Sequence, residues 1–255
     1  MFALRAIVSP LTRAAFRPQT IRVAARPAYF RIQAAFNSTI SEAITHDHRE
    51  LKTYYNEIVD NPDDIDHITR YGNQFTWELA RHSVAEESLV YPAMEKCMGE
   101  KGKQHAESDR KQHHEVREHI SDYNLHSENT CLKTATIGEN LLKEFQNMDP
   151  ASSTYIPKLK EIWSLLERHI AEEEKDDLLA LEQALFSEKN RGNSQSLAKN
   201  FARTKAFVPS RSHPSAGENL YFEGPMGTLA APIDHIADIF RKFPGGTISP
   251  NPSKK

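Results

Sequence analysis

From Ser38 to Glu188 apolar residues recur every three or four positions, the period of a helix face packed on a core. Four long segments carry the pattern. Helix A is expected over about Ser41–Val59, with Ser41 as N-cap and a stripe of Ile44, His48, Leu51, Tyr55 and Ile58. Asn61-Pro62-Asp63-Asp64 ends it. Helix B follows over about Ile65–Met98, its end kinked at Pro92, with Ile68, Phe75, Leu79, His82, Glu86 and Leu89 on one face. Gly99 and Gly102 mark the next turn. Helix C covers about Lys103–His126 through His113, Val116, Ile120 and Tyr123. A polar stretch, 126–140, and a short helical piece, Leu141–Asn147, precede helix D. That helix runs over about Thr154–Glu188, with Leu159, Ile162, Leu166, His169 and Glu173 inward. Four such helices with short connections predict an all-α chain whose residues 39–189 form an up-down-up-down four-helix bundle.

The ends of the chain read differently. The leader, residues 1–38, holds six arginines (Arg5, Arg13, Arg17, Arg22, Arg26, Arg31), and the first acidic residue of the chain is Glu42. Ala, Ser and Thr fill the gaps, and the arginines interrupt any apolar core a secretory signal would need. This is the composition of a mitochondrial transit peptide, disordered before import and removed on delivery to the matrix. Its loss would take the formal charge from −3 to −9. Beyond Asn190 the composition shifts to Ser, Pro, Gly, Asn and Arg, so 190–255 is expected to be linker and extended tail. Within it, Leu229, Ile233, Ile236, Phe240 and Phe243 form one apolar stripe on a short amphipathic helix, 229–243. That stripe is expected either to dock on the bundle or to meet a protein partner or membrane surface.

A mildly acidic balance makes no case for nucleic acid. No apolar run approaches the roughly 20 residues of a transmembrane segment. Cys97 and Cys131 are the only cysteines, too few for a disulfide framework or a thiolate zinc site. Histidine is the unusual residue: ten of the twelve lie between His46 and His169. Each bundle helix carries one on its apolar face, namely His48, His82, His113 and His169. Their neighbours His46 and His114 fall on polar faces. In two stripes a glutamate follows four residues later, at Glu86 and Glu173, about one turn of 5.4 Å further along the same face. A single inward histidine is ordinary core. Four of them with two inward carboxylates call for a cation, because an unpaired buried carboxylate is very costly. Imidazole and carboxylate without thiolate suit Fe, Mn or Zn.

These residues stand in recognisable strings. Asp47-His48-Arg49-Glu50-Leu51, His82 to Glu86-Glu87 and on to Tyr91-Pro92, His113 with Val116-Arg117, and His169 to Glu173-Glu174 occur in order. Over about residues 40–186 the chain resembles the hemerythrin-like, or HHE cation-binding, domain. The leader and the tail around Val208–Pro214 resemble fungal members. The resemblance implies a bundle holding a bridged di-iron centre with His48, His82, Glu86, His113, His169 and Glu173 as ligands. It implies a protein that binds or reduces a small diatomic or peroxide ligand (O2, peroxide or NO), or one that senses metal or oxygen without turnover, rather than a classical enzyme. The pattern departs from the oxygen carriers in two places. Asp109 stands four residues before His113, where carriers have histidine, with His105 one turn further back. Glu174 stands five residues after His169, where carriers have aspartate. A site this rich in carboxylate suits reversible oxygenation less well. Residues 126–140 read as an insertion.

Overall fold

The computed structural model describes residues 38–117, 141–186, 193–211 and 225–247. Nearly all of the expected leader, the 126–140 insertion, and Ile120 and Tyr123 of the helix C stripe lie outside the described residues. The regular secondary structure of the described residues is all helical. In chain order the helices are α1 (Ile40–Val59), α2 (Ile65–Ala85), α3 (Tyr91–Met98), α4 (Glu100–Arg117), α5 (Leu141–Phe145), α6 (Tyr155–Glu172), α7 (Leu178–Leu185), α8 (Asn193–Lys205) and α9 (Pro225–Phe240). Single π-helical turns, Glu86–Val90 and Glu173–Asp177, join α2 to α3 and α6 to α7.

Local chemistry sets the boundaries. Helix α1 starts slightly earlier than expected, because Thr39, two residues before Ser41, is its cap. Thr39 Oγ1 accepts from the Glu42 N–H at 3.3 Å, and Glu42 Oε2 accepts from the Thr39 N–H at 2.9 Å, a reciprocal capping box. Asp64 caps α2 by accepting from the His67 N–H. Of the two glycines expected to make the turn into helix C, only Gly99 does, at φ 64°. Gly102 lies inside α4, where a Cβ would fall 2.1 Å from the Met94 carbonyl oxygen. Its missing side chain lets α3 and α4 approach.

The apolar core is split in two. One block gathers Leu51, Tyr54, Ile58, Ile68, Phe75, Leu79, Val116, Phe145, Leu159, Ile162 and Leu166. The other gathers Ile40, Ile44, Ala85, Val90, Tyr91, Met94, Ala106, Leu178, Leu181, Leu185 and Phe201. Helix α1 passes from the second block to the first and α2 returns. Helix α4 passes from the second to the first and α6 returns. That alternation is the up-down-up-down order, and each helix crosses between the blocks at its inward histidine. On α1 the buried tyrosine is Tyr54 (3% exposed), not Tyr55 of the expected stripe. Tyr55 instead stacks on Trp163, centroids 4.6 Å apart.

The tail departs most from expectation. Part of the supposed linker is α8, which buries Ser194, Ala198, Phe201 and Lys205, an i, i+4, i+7, i+11 stripe that its polar composition conceals. Ser194 Oγ accepts from the Ile40 N–H at 2.9 Å and donates to Glu182 at 2.8 Å, tying α8 to α1 and α7. Helix α9 begins at Pro225, and it docks by the face opposite to its apolar stripe. Asp234 and Asp238 are buried, accepting from the Ser210 N–H and Oγ. Ile233 (67% exposed), Ile236 (61%) and Phe240 (76%) face outward. Phe243, just past the helix, turns in against Trp77. The polar face docks because two aspartates gain hydrogen bonds and ionic partners there that the apolar residues could not use.

Candidate metal centre

His48, His82, Glu86, His113, His169 and Glu173 converge between the two core blocks, each no more than 3% exposed. Glu86 faces two ways. Its Oε1 is 3.1 Å from His82 Nε2, and its Oε2 is 3.3 Å from His113 Nε2. Glu173 Oε2 lies 3.4 Å from His48 Nε2 and 3.8 Å from His169 Nε2. Two triads result, His48–His82–Glu86 and Glu86–His113–His169, with ligand-capable atoms within 4.8 Å of one another in each. Donors about 2.1 Å from a shared cation stand roughly 3–3.5 Å apart, so the spacing within each triad suits a cation.

Each imidazole is held from behind. Nδ1 of His48 donates to Glu174 at 2.8 Å, that of His82 to Asp47 at 3.3 Å, that of His113 to Glu87 at 3.1 Å, and that of His169 to the Gln112 amide oxygen at 2.8 Å. With every Nδ1 a donor, every Nε2 presents a lone pair to the interior. The Nε2 atoms of His113 and His169 are 3.0 Å apart, an arrangement of two lone pairs that a cation relieves. Nε2 of His48 and of His82, and both oxygens of Glu86 and of Glu173, make no hydrogen bond among the described residues. Six buried donor atoms that face one another without a hydrogen bond fit a cation and little else.

The electrostatics agree. Burial, then the charge of Glu173, pushes the Glu86 carboxyl well above its ordinary value, and burial followed by Asp109 does the same to Glu173. Burial lowers His82 to about 4 and takes His169 well below its usual range. In the absence of a cation every one of these groups is driven toward neutrality. A cation reverses the balance for the carboxylates.

Both departures from the carrier pattern resolve geometrically. Glu174, 36% exposed at its side chain, anchors the outer nitrogen of His48 and is held low chiefly by that hydrogen bond. Asp109 is 2% exposed, its Oδ2 unpartnered, and burial followed by Asp177 raises it to about 8. His105 is engaged with Asp177. His46 points to solvent, as its polar face requires.

Sequence reasoning missed Tyr91. It is fully buried, and its hydroxyl donates to His113 Nε2 at 3.1 Å. Tyr91 follows Glu86 by five residues, about 140° away on an α-helix. The π turn, closed by the Tyr91 N–H to the Glu86 carbonyl, brings it inward. Leu178 closes the second turn on the Glu173 carbonyl in the same way. Such turns recur at functional sites, and here each begins at an inward glutamate. Pro92, which has no N–H to continue the α ladder, was the one sequence signal for the first turn; nothing comparable marks the second.

A four-helix bundle with a buried layer of one histidine per helix and two facing glutamates defines a class of cation-binding proteins. The hemerythrin HHE cation-binding domain matches residues 39–181. A hemerythrin-like protein of Schizosaccharomyces pombe is 43% identical over 205 residues, 80% of this chain and 88% of that one. The chain therefore belongs to the hemerythrin HHE cation-binding family. The alignment to the yeast protein is longer than the family segment and extends beyond it. No solved structure matches.

Proposed function

We propose that the chain is a non-haem iron protein in which His48, His82, His113 and His169, with Glu86 and Glu173, hold a pair of iron ions that bind or reduce O2, peroxide or nitric oxide. The two-sided placement of Glu86, one oxygen toward His82 and the other toward His113, carries this reading. Glu173, with one oxygen between His48 and His169, supports it. Manganese or zinc would fit the same donors. Bound iron supplies open coordination positions and electrons for a small ligand. The protein supplies the rest. Asp47, Glu87, Gln112 and Glu174 fix the imidazole planes, and the flanking apolar blocks exclude water. The Tyr91 hydroxyl holds a proton at the edge of the site, beside His113.

The test uses the full chain loaded anaerobically with Fe(II), with metal quantified and visible spectra taken before and after O2, peroxide or nitric oxide. About two irons per chain and a ligand-dependent band are expected. Less than one iron per chain overturns the reading. Iron without any ligand-dependent band favours a second reading, a sensor without turnover whose output surface is the outward apolar face of α9 at Ile233, Ile236 and Phe240. The arginine-rich, acid-free leader supports residence in the mitochondrial matrix. Fractionation of cells expressing the tagged chain, with and without residues 1–38, tests that assignment.

A further inference from the structure

Helix α8 lies outside the segment that the family model matches. It nevertheless reaches the centre. Its last residue, Lys205, is 8% exposed, and its ammonium contacts the carboxylates of both Asp47 and Glu78. Asp47 in turn accepts from His82 Nδ1 at 3.3 Å. One turn back, Phe201 presents its ring edge-on to His82, centroids 6.0 Å apart. Burying an ammonium is costly unless its partners are well placed. Arg81 adds a second cation against Glu78 at 3.3 Å, so two cations face two carboxylates.

We propose that Lys205 is a positioning residue for the metal centre: by holding Asp47 from the far side, it limits the negative charge that Asp47 delivers to His82 and so raises the reduction potential of the metal His82 binds. A carboxylate behind a ligating imidazole makes that imidazole a stronger donor, which favours the oxidised metal. A cation on the same carboxylate opposes this. Asp47 and Lys205 form a buried ion pair in which each charge compensates the other, with Glu78 as the second partner of the ammonium. The remaining outer partners are the solvent-reached Glu174 carboxylate behind His48, the buried Glu87 carboxylate behind His113 and the neutral Gln112 amide behind His169. The two cation positions are thus electronically unequal, and α8 sets part of the difference.

The inference rests on the proposed metal ligation, and the experiment separates the two. Full-length wild type, Lys205→Gln, Lys205→Arg, Glu78→Gln, Asp47→Asn and the Lys205→Gln/Asp47→Asn double variant are loaded with iron. Metal content is measured first, then the midpoint potential by spectroelectrochemistry. Wild type without iron sinks the ligation proposal, and this one with it. With iron in place, Lys205→Gln should shift the potential downward and Lys205→Arg should hold it near wild type. Glu78→Gln, which leaves the ammonium wholly to Asp47, should shift it upward. In the Asp47→Asn background the Lys205→Gln shift should collapse. An iron-loaded Lys205→Gln at the wild-type potential, or a shift of equal size without Asp47, overturns the inference. If Lys205→Gln does not fold, an unshifted Glu78→Gln overturns it alone. Opposite signs at Lys205 and Glu78 are what a merely structural ion pair would not produce.

Discussion

Loading the centre should expel protons, and the metal-stripped protein should lose stability as pH rises. Burial and neighbouring charge hold the Glu86 and Glu173 carboxyls well above the ordinary 4.5. Above their ordinary value the folded, stripped chain then holds protons on these carboxyls that the unfolded chain lacks. A group whose folded pKa is raised loses stability as pH climbs from its unfolded to its folded value. Each such proton makes unfolding easier by about 1.4 kcal/mol per pH unit, so the pair contributes up to about 3 kcal/mol per unit where both remain protonated. Asp109, raised to about 8, adds to the slope with the same sign up to that pH. His82, lowered to about 4, acts in the opposite sense, but only between about 4 and its ordinary 6.5. The clean window therefore opens above pH 6.5. Thermal melts at pH 7, 8 and 9 should show the stripped protein weakening while the loaded protein stays nearly level. Calorimetric metal titration in two buffers of different ionisation enthalpy should report net proton release on full loading. Glu86→Gln should release fewer protons. No proton release, together with parallel pH trends for stripped and loaded protein, would refute the assignment of Glu86 and Glu173 as neutral acids displaced by the cation.

Other consequences are simpler to read. His82→Ala removes a proposed ligand atom and one of the two buried partners of Asp47, so it should lower metal content and cost about 2–4 kcal/mol; His114→Ala should change neither, and equal effects would mean the facing of these helices is wrong. Gly102→Ala sets a methyl 2.1 Å from the Met94 carbonyl oxygen, so α3 and α4 must part, at a cost of about 1–3 kcal/mol in denaturant unfolding; wild-type stability would show that the close approach does not matter. Phe75→Ala hollows one core block, where the ring is fully buried against Phe145. It should cost about 3–5 kcal/mol yet leave metal stoichiometry intact, and loss of metal would mean that block and site are not independent.

The bundle was legible because three- and four-residue spacing survives in every long helix, and the inward histidines stood out as polar breaks in apolar stripes. His48 over His46 follows from facing alone, and the structure buries the one and exposes the other. Features that rest on departures from α periodicity or on distant pairing were not legible. Tyr91 falls off the α stripe and returns only through the π turn. Lys205 sits in a segment whose serines, asparagines and basic residues imitate a linker, and its value as a core residue comes from Asp47 and Glu78, more than a hundred residues earlier. Helix α9 inverts the usual rule because its aspartates find hydrogen-bond donors at Ser210, which no hydrophobic pattern encodes.

The two π turns carry a consequence for descent. Each amounts to one extra residue let into an α-helical ladder, a change that weakens the helix and turns everything beyond it by about 100°. In this chain the turns begin at Glu86 and Glu173, the two carboxylates placed between the histidine pairs. An insertion that is harmful alone persists while a bound cation rewards it. Relatives that have lost both glutamates should therefore have shed the extra residue in each helix and reverted to unbroken α spacing. Retention of both insertions in such relatives would show that the turns serve packing rather than the centre.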